Sequence, residues 1–347
     1  VTVYCFKERT ESNIKQRHFM ELSRLIGRYT GPENGPLLIV FGGMHGNEPA
    51  GVQALERMFE MLKVEPDNNP KFNYKGRIVG MRGNLRAMQL QQRFIEKDLN
   101  RQFTAENIKR IQSAPDSELD SEDKEVKEIL AFVDAEIADY QPEKVVFLDI
   151  HTTTAFGGIF GISTDQAESL RIAVELHAPV ITGMMNGIRG TSLHHFCEKN
   201  YGRNAIAVVF EAGQHDEGLS TNRAIAAITN CMRTIGSVEK DDVENRHDDL
   251  LITYSKNLPK VAELLKVHRI HSGDNFEMVP NYKNFQRIKK GDILATDKHG
   301  VIRTDIDGMI LMPLYQKQGE DGFFLIKEVE YKNGRRLTAQ RVGITQQ

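Results

Sequence analysis

Cysteine is scarce in this chain: Cys5, Cys197 and Cys231 are the only three in 347 residues. An odd number at wide spacing offers neither a disulfide framework nor a C-x-x-C metal knuckle, and it suits a reducing compartment. Long hydrophobic runs are missing too. No apolar stretch approaches the roughly 18 residues of a membrane span, and the first 30 residues are too charged for a secretory signal. A cytoplasmic location is the expectation. A surplus of either charge is also absent: 45 Lys and Arg face 48 Asp and Glu, leaving a net charge of -3. That balance gives no broad positive field, so neither nucleic acid nor an anionic membrane is an expected partner. Internal repeats and low-complexity tracts are likewise lacking.

What remains is the composition of an ordinary globular protein, long enough for two domains at roughly 100 to 200 residues each. Unbroken apolar runs at Leu37 to Phe41, Val145 to Ile150 and Ile206 to Phe210, with a weaker one at Ile78 to Met81, read as strands buried on both faces of a sheet. Helical spacing separates them: Leu55, Met58, Phe59 and Leu62; Ile129, Leu130, Phe132 and Val133; Ala224, Ile228, Met232 and Ile235. Strand alternating with helix predicts an α/β fold with a mixed sheet flanked by helices. The acidic stretch Asp116 to Glu125 reads as a solvated helix start. Gly236 to Asp249 is charged and reads as a linker, Asn257 to His268 as a helix, and the turn signals from Phe276 onward as a small β-rich unit. The expected division is a catalytic α/β domain at 1–250, then a linker helix and β-rich C-terminal domain at 251–347.

Four His-x-x-acid pairs occur, His18/Glu21, His45/Glu48, His195/Glu198 and His271/Asp274, where chance alone gives about 1.5. Context separates them. His18 and Glu21 sit in an amphipathic pattern that suits a surface ion pair, His195 lies beside Cys197 with no strand before it, and His271 follows the linker in a basic segment. Only His45/Glu48 follows a buried strand and paired glycines, with Asn47 as a plausible helix cap and Pro49 at a first helical position. His151 ends a second buried strand and can supply a third metal ligand. Asp149, two residues back on the same face, can accept from its other ring nitrogen. Glu211 ends a third strand, where a catalytic base would stand. Arg93, Asp98, Asn100 and Arg101 cluster in one segment, and two arginines beside an asparagine suit a carboxylate clamp with an oxyanion donor.

In this order the residues resemble the zinc carboxypeptidase fold and, within it, the succinylglutamate desuccinylase/aspartoacylase family. The resemblance rests on Gly-Gly-Met-His-Gly-Asn-Glu-Pro-Ala-Gly at 42–51, Gly83-Asn84 before Arg93, Asp98-Leu99-Asn100-Arg101-Gln102-Phe103, Asp149-Ile150-His151-Thr152-Thr153-Thr154 and Glu211-Ala212-Gly213. It spans about residues 37 to 215. It implies that His45, Glu48 and His151 hold one zinc ion per chain and that Glu211 serves the water at the metal. It implies further that Arg93 polarises the scissile carbonyl, that Asn100 and Arg101 grip a substrate carboxylate, and that a β-rich C-terminal domain narrows the entrance to small N-acyl amino acids. Tyr315 is the candidate for a tyrosine that this domain contributes in some members. The family's further substrate arginine, shortly before the catalytic glutamate, has no direct counterpart: Arg203 is offset and Arg189 lies farther back. The expected activity is zinc-dependent hydrolysis of the amide bond of a small N-acyl amino acid. The alternatives are a zinc carboxypeptidase, peptide amidase or esterase, and a non-catalytic metal-binding protein on the same scaffold.

Overall fold

A computed structural model describes residues 22–332 and 335–336, apart from 203, 240, 241 and 243–245. The His18/Glu21 pair, Cys5 and Arg203 lie outside the described residues. The four apolar runs all form strands, within β2 (Glu33–Gly42), β3 (Lys75–Arg82), β4 (Val145–Thr153) and β7 (Ala205–Gln214). They join β1 (Leu25–Thr30), β5 (Phe160–Ser163), β6 (Val180–Thr182) and β8 (Val261–Arg269) in one large sheet.

The sheet continues through three strands of the β-rich C-terminal part, in the order β1-β3-β2-β4-β7-β5-β6-β8-β14-β13-β10. Here β10 is Gln286–Ile288, β13 is Gly308–Leu311 and β14 is Asp321–Glu328. A separate three-stranded sheet holds β9 (Glu277–Met278), β11 (Ile293–Asp297) and β12 (Gly300–Arg303). Strands β3, β2, β4 and β7 run parallel to one another, whereas β5 pairs antiparallel with β7 and β14 antiparallel with β8. The sheet is therefore mixed, as expected.

Alternate residues of each central strand face opposite layers, which is why these strands read as continuous apolar runs. Leu37, Ile39 and Phe41 pack toward the helix Ser121–Tyr140, while Leu38 and Val40 pack toward the helices Ala50–Asn68 and Ser220–Ile235. Among the described residues no helix is long and apolar enough to cross a membrane.

Three local expectations fail. Residues 261–268 form strand β8 instead of a helix, and the helix of this region comes earlier, at Arg246–Ser255. Val261, Leu264, Leu265 and His268 do carry helical spacing, but Ala262 pairs with Ile181 on one side and Leu264 with Ile326 on the other. Sheet pairing outweighs the local preference. Asn47 caps nothing: its Nδ2 donates to Gln316 Oε1 at 2.9 Å, and Pro49 occupies the cap position of the helix that starts at Ala50. The acidic stretch is not solvated throughout, since Glu122, Asp123 and Glu125 are buried. Each has partners: Lys97 and Arg110 meet Asp123, and Arg24 and Arg86 meet Glu125. Glu122 accepts from the backbone N–H groups of Ile95 (2.7 Å), Glu96 (3.0 Å) and Lys97 (3.3 Å). A carboxylate can be buried when backbone donors take the place of water.

Candidate active site

Because β2, β4 and β7 are parallel neighbours, their C-terminal ends open on one edge of the sheet, where open α/β folds place their ligands. That edge carries His45 just beyond β2, His151 in β4 and Glu211 in β7, with His151 and Glu211 in direct register. The turn that carries His45 beyond β2 demands glycine on both sides of it. Gly43 adopts φ 71°, and a Cβ on Gly46 would lie 2.2 Å from the backbone carbon of Ala87.

Glu48 sits between the two histidines. His45 Nδ1 lies 2.8 Å from its Oε1 and His151 Nδ1 3.0 Å from its Oε2. The far ring nitrogens are held as well, His45 Nε2 at 3.1 Å from Asp98 Oδ1 and His151 Nε2 at 3.1 Å from Asp149 Oδ2. With Nε2 tied to a carboxylate, each ring presents Nδ1 to the centre, which is how partner carboxylates orient metal-binding histidines. His45, Glu48 and His151 are all buried, and their donor atoms lie within 4.8 Å of one another. Two imidazole nitrogens and a carboxylate are a donor set that fits zinc with a position to spare. A second group among the described residues, Glu96, Asp120 and Glu122, is equally close, but its buried member is already engaged by backbone N–H groups. Neither His195/Glu198 nor His271/Asp274 assembles three donors: His195 packs on Phe196 and Tyr201, and Asp274 accepts from the His271 backbone.

Glu211 is buried and its Oε2 has no hydrogen-bond partner. Burial pushes its carboxyl up to about 8 against the pull of His151, with Glu48 adding to the rise. Burial also opposes charge on Glu48, but His45 and His151 hold it well below the usual carboxylate range. His151 is likewise held well above the ordinary imidazole value by Asp149 and Glu48, although burial works against its charge.

Arg93 reaches the same centre. Its Nη1 lies 3.5 Å from Glu48 Oε1, and Nε and Nη2 donate to Asp98 Oδ2 at 3.2 and 2.9 Å. Asp98 thus serves His45 and Arg93 together, a role its place in the Arg93–Arg101 segment only hinted at. Asn100 accepts from the Ser192 N–H at 2.8 Å, and its Nδ2 lies 3.3 Å from His151 Nε2. Arg101 pairs with Asp321 at 2.5 Å.

Over these residues lies a strap, residues 312–320, between β13 and β14. Gln318 acts as a two-way amide clamp: its Oε1 accepts from the Arg93 N–H at 3.2 Å and its Nε2 donates to the Phe94 carbonyl at 3.1 Å. Tyr315 stands apart from His45, Glu48 and His151, lining only the outer space. It is exposed, and its hydroxyl donates to the carbonyls of Val279 and Tyr282. The strap divides the space in two. An inner chamber of about 110 Å³ is lined by His45, Glu48, Arg93, Asn100, His151 and Glu211. An outer cleft of about 1720 Å³ is lined by Tyr315, Arg189, Arg269 and Lys283. Arg101, Thr154, Gln316 and Glu320 line both.

His215 is a chamber residue that sequence reasoning missed. Its Nδ1 lies 2.7 Å from Thr152 Oγ1, and its Nε2 is buried without a partner. Its only signal was a position four residues beyond Glu211.

The family model of the succinylglutamate desuccinylase/aspartoacylase catalytic domain matches residues 34–235, more than half of the chain and every strand end just described. The chain belongs to this family. A probable aspartoacylase of Nostoc sp. is 32% identical over 120 residues, a stretch covering 35% of this chain and 36% of that relative. A succinylglutamate desuccinylase of Pseudoalteromonas atlantica is 21% identical over 287 residues, covering 78% of this chain and 75% of the relative. Among solved structures of the family fold, the succinylglutamate desuccinylase of Vibrio parahaemolyticus has a TM-score of 0.58 at 17% identity, covering 88% of this chain and 86% of its own. The product-bound ectoine utilization protein of Ruegeria pomeroyi has the same TM-score and identity, covering 85% of this chain and 86% of its own. At such identity these two structures speak for the fold alone.

Proposed function

We propose that this family member is a zinc-dependent hydrolase that cleaves the amide bond of a small N-acyl amino acid. The observation that carries the reading is the buried His45–Glu48–His151 centre facing Glu211, a base whose Oε2 has no hydrogen-bond partner. His45, Glu48 and His151 would hold the zinc ion, which supplies Lewis acidity to polarise the acyl oxygen and to acidify water.

The protein's own groups supply the rest. Glu211 takes the proton from the attacking water and returns it to the departing amine, its buried carboxylate standing beside the centre with Oε2 free of other partners. Arg93, fixed by Asp98, donates N–H groups toward the oxygen on which negative charge develops. Asn100 and Arg101 receive the substrate carboxylate, Arg101 by sharing its contact with Asp321. The strap keeps bulk water out, and Tyr315 borders the way in. In this reading residues 1–250 carry the reaction and residues 251–347 close the entrance.

Amine release from a panel of N-acyl amino acids by zinc-loaded protein, with a chelated control, tests the activity. Glu211→Gln should keep zinc while slowing release by about 10² to 10⁴. Undiminished release from that variant, with zinc still bound, would remove Glu211 from the role of base.

A further inference from the structure

The chamber is apolar where substrate bulk must go. Ile162, Met184, Ile188, Val209, Met312 and Phe324 line it, and all except Met312 are buried. Its charged lining consists of four carboxylates, Glu48, Glu211, Glu320 and Asp321, and two guanidiniums, Arg93 and Arg101, besides the histidines. Both guanidiniums are already engaged, Arg93 by Asp98 and Glu48, Arg101 by Asp321. His194, on the same wall, has Nδ1 at 2.7 Å from Thr191 Oγ1 and Nε2 at 3.1 Å from the Met185 carbonyl, and burial holds its pKa below the ordinary value. Among the described residues, the other cations near this space, Arg189, Arg269, Lys283 and Lys317, line the outer cleft, and Arg269 is paired with Asp321.

From this distribution we infer that the substrate carries a single carboxylate, left at the mouth, and buries an uncharged hydrocarbon group in the chamber. The inference rests on the hydrolase reading and narrows it: the dicarboxylic and tricarboxylic compounds after which the family's enzymes are named are not the preferred substrates of this chain. The physical reason is the cost of dehydrating a second carboxylate against methyl and methylene groups with no cation left to meet it. An ion held by His45, Glu48 and His151 would be committed to the acyl oxygen and the attacking water, and so would not meet a second carboxylate. At the mouth Arg101, which lines both spaces, can share its contact with Asp321 with one carboxylate, and the outer cations line the cleft beyond it.

Two pairs of near-isosteric ligands test this. N-acetyl-leucine matches N-acetyl-aspartate with methyls in place of carboxylate oxygens, and N-(4-methylpentanoyl)-leucine matches N-succinyl-leucine in the same way. Calorimetric binding to zinc-loaded Glu211→Gln measures preference without turnover. That variant removes one carboxylate from the chamber and so favours the dicarboxylates, which makes the comparison conservative.

The expected result is that the monocarboxylate binds more tightly in both pairs, by about 100-fold or more in at least one. Equal or tighter binding of the dicarboxylate in either pair, or no binding by any of the four, overturns the inference. Met185→Lys, at a half-buried position on the chamber wall, should reduce the preference at least tenfold. An unchanged ratio in the folded variant also overturns it. Hydrolysis of the same compounds by the unaltered protein is scored separately, so binding with the expected preference but no release would count against the hydrolase reading alone.

Discussion

The inner chamber and the outer cleft share four polar residues of their walls, yet they are built on opposite terms. In the chamber most charges are held in pairs away from solvent: His45 between Glu48 and Asp98, His151 between Glu48 and Asp149, Arg93 between Glu48 and Asp98. At the cleft, side chains such as Phe156 and Tyr315 remain exposed, and Arg189 points to solvent. The contrast teaches that charge is costly where it is dehydrated and cheap where solvent reaches it. A substitution should therefore be felt in proportion to its depth.

On the proposed mechanism Arg93→Ala should produce the largest loss after changes to His45, Glu48, His151 and Glu211. Removing one donor to a developing oxyanion costs about 2.7 to 4 kcal/mol in the barrier, or roughly 10² to 10³ in kcat. A loss confined to KM would place Arg93 in substrate binding and break the division proposed for the chamber.

The next effect is on stability and is read on metal-free protein. A carboxyl pushed up to about 8 in the fold, from an ordinary 4.5, binds a proton that the unfolded chain has already released between those values. Its contribution is fully present below about pH 4.5 and is lost as pH rises through about 8, at about 1.4 kcal/mol per pH unit. Denaturant curves across that window should show wild type falling relative to Glu211→Gln, and parallel curves would show that the proton is not held there. The smallest effect belongs to the cleft. Tyr315→Phe removes a hydroxyl that serves only the carbonyls of Val279 and Tyr282, and kcat should change by less than about twofold. A tenfold fall in kcat would move Tyr315 from the rim into the reaction.

Legibility followed the same line from inside to outside. Strands β2, β4 and β7 were readable because both faces are buried and the apolar run is unbroken, and their ends delivered His45, His151 and Glu211 together. Residues whose roles depend on distant partners were not readable. Glu122 looked like one more acid in a solvated run because the N–H groups it receives lie 25 to 27 positions earlier. Strand β8 looked helical because its neighbours, residues 180–182 and 321–328, are far away in sequence. His215 was hidden in a loop, and only the fold brings it against Thr152. The apolar character of the chamber was equally invisible, since its wall is gathered from five separate stretches between Ile162 and Phe324.

The Gln318 clamp has a consequence for how the molecule comes into being. It closes on Arg93 across 225 residues, among the longest spans in the chain, and contacts so distant in sequence are slow to form because a large loop must first be closed. The sheet edge that holds His45 and Glu48 can take shape while the chain beyond residue 300 is still unfolded, but the segment bearing Arg93 is not latched until the strap arrives. During refolding, recovery of catalytic activity should therefore lag behind recovery of the far-ultraviolet dichroism signal, and simultaneous recovery would show that the latch is not a late event. A newly made chain is in this sense folded before it is an enzyme.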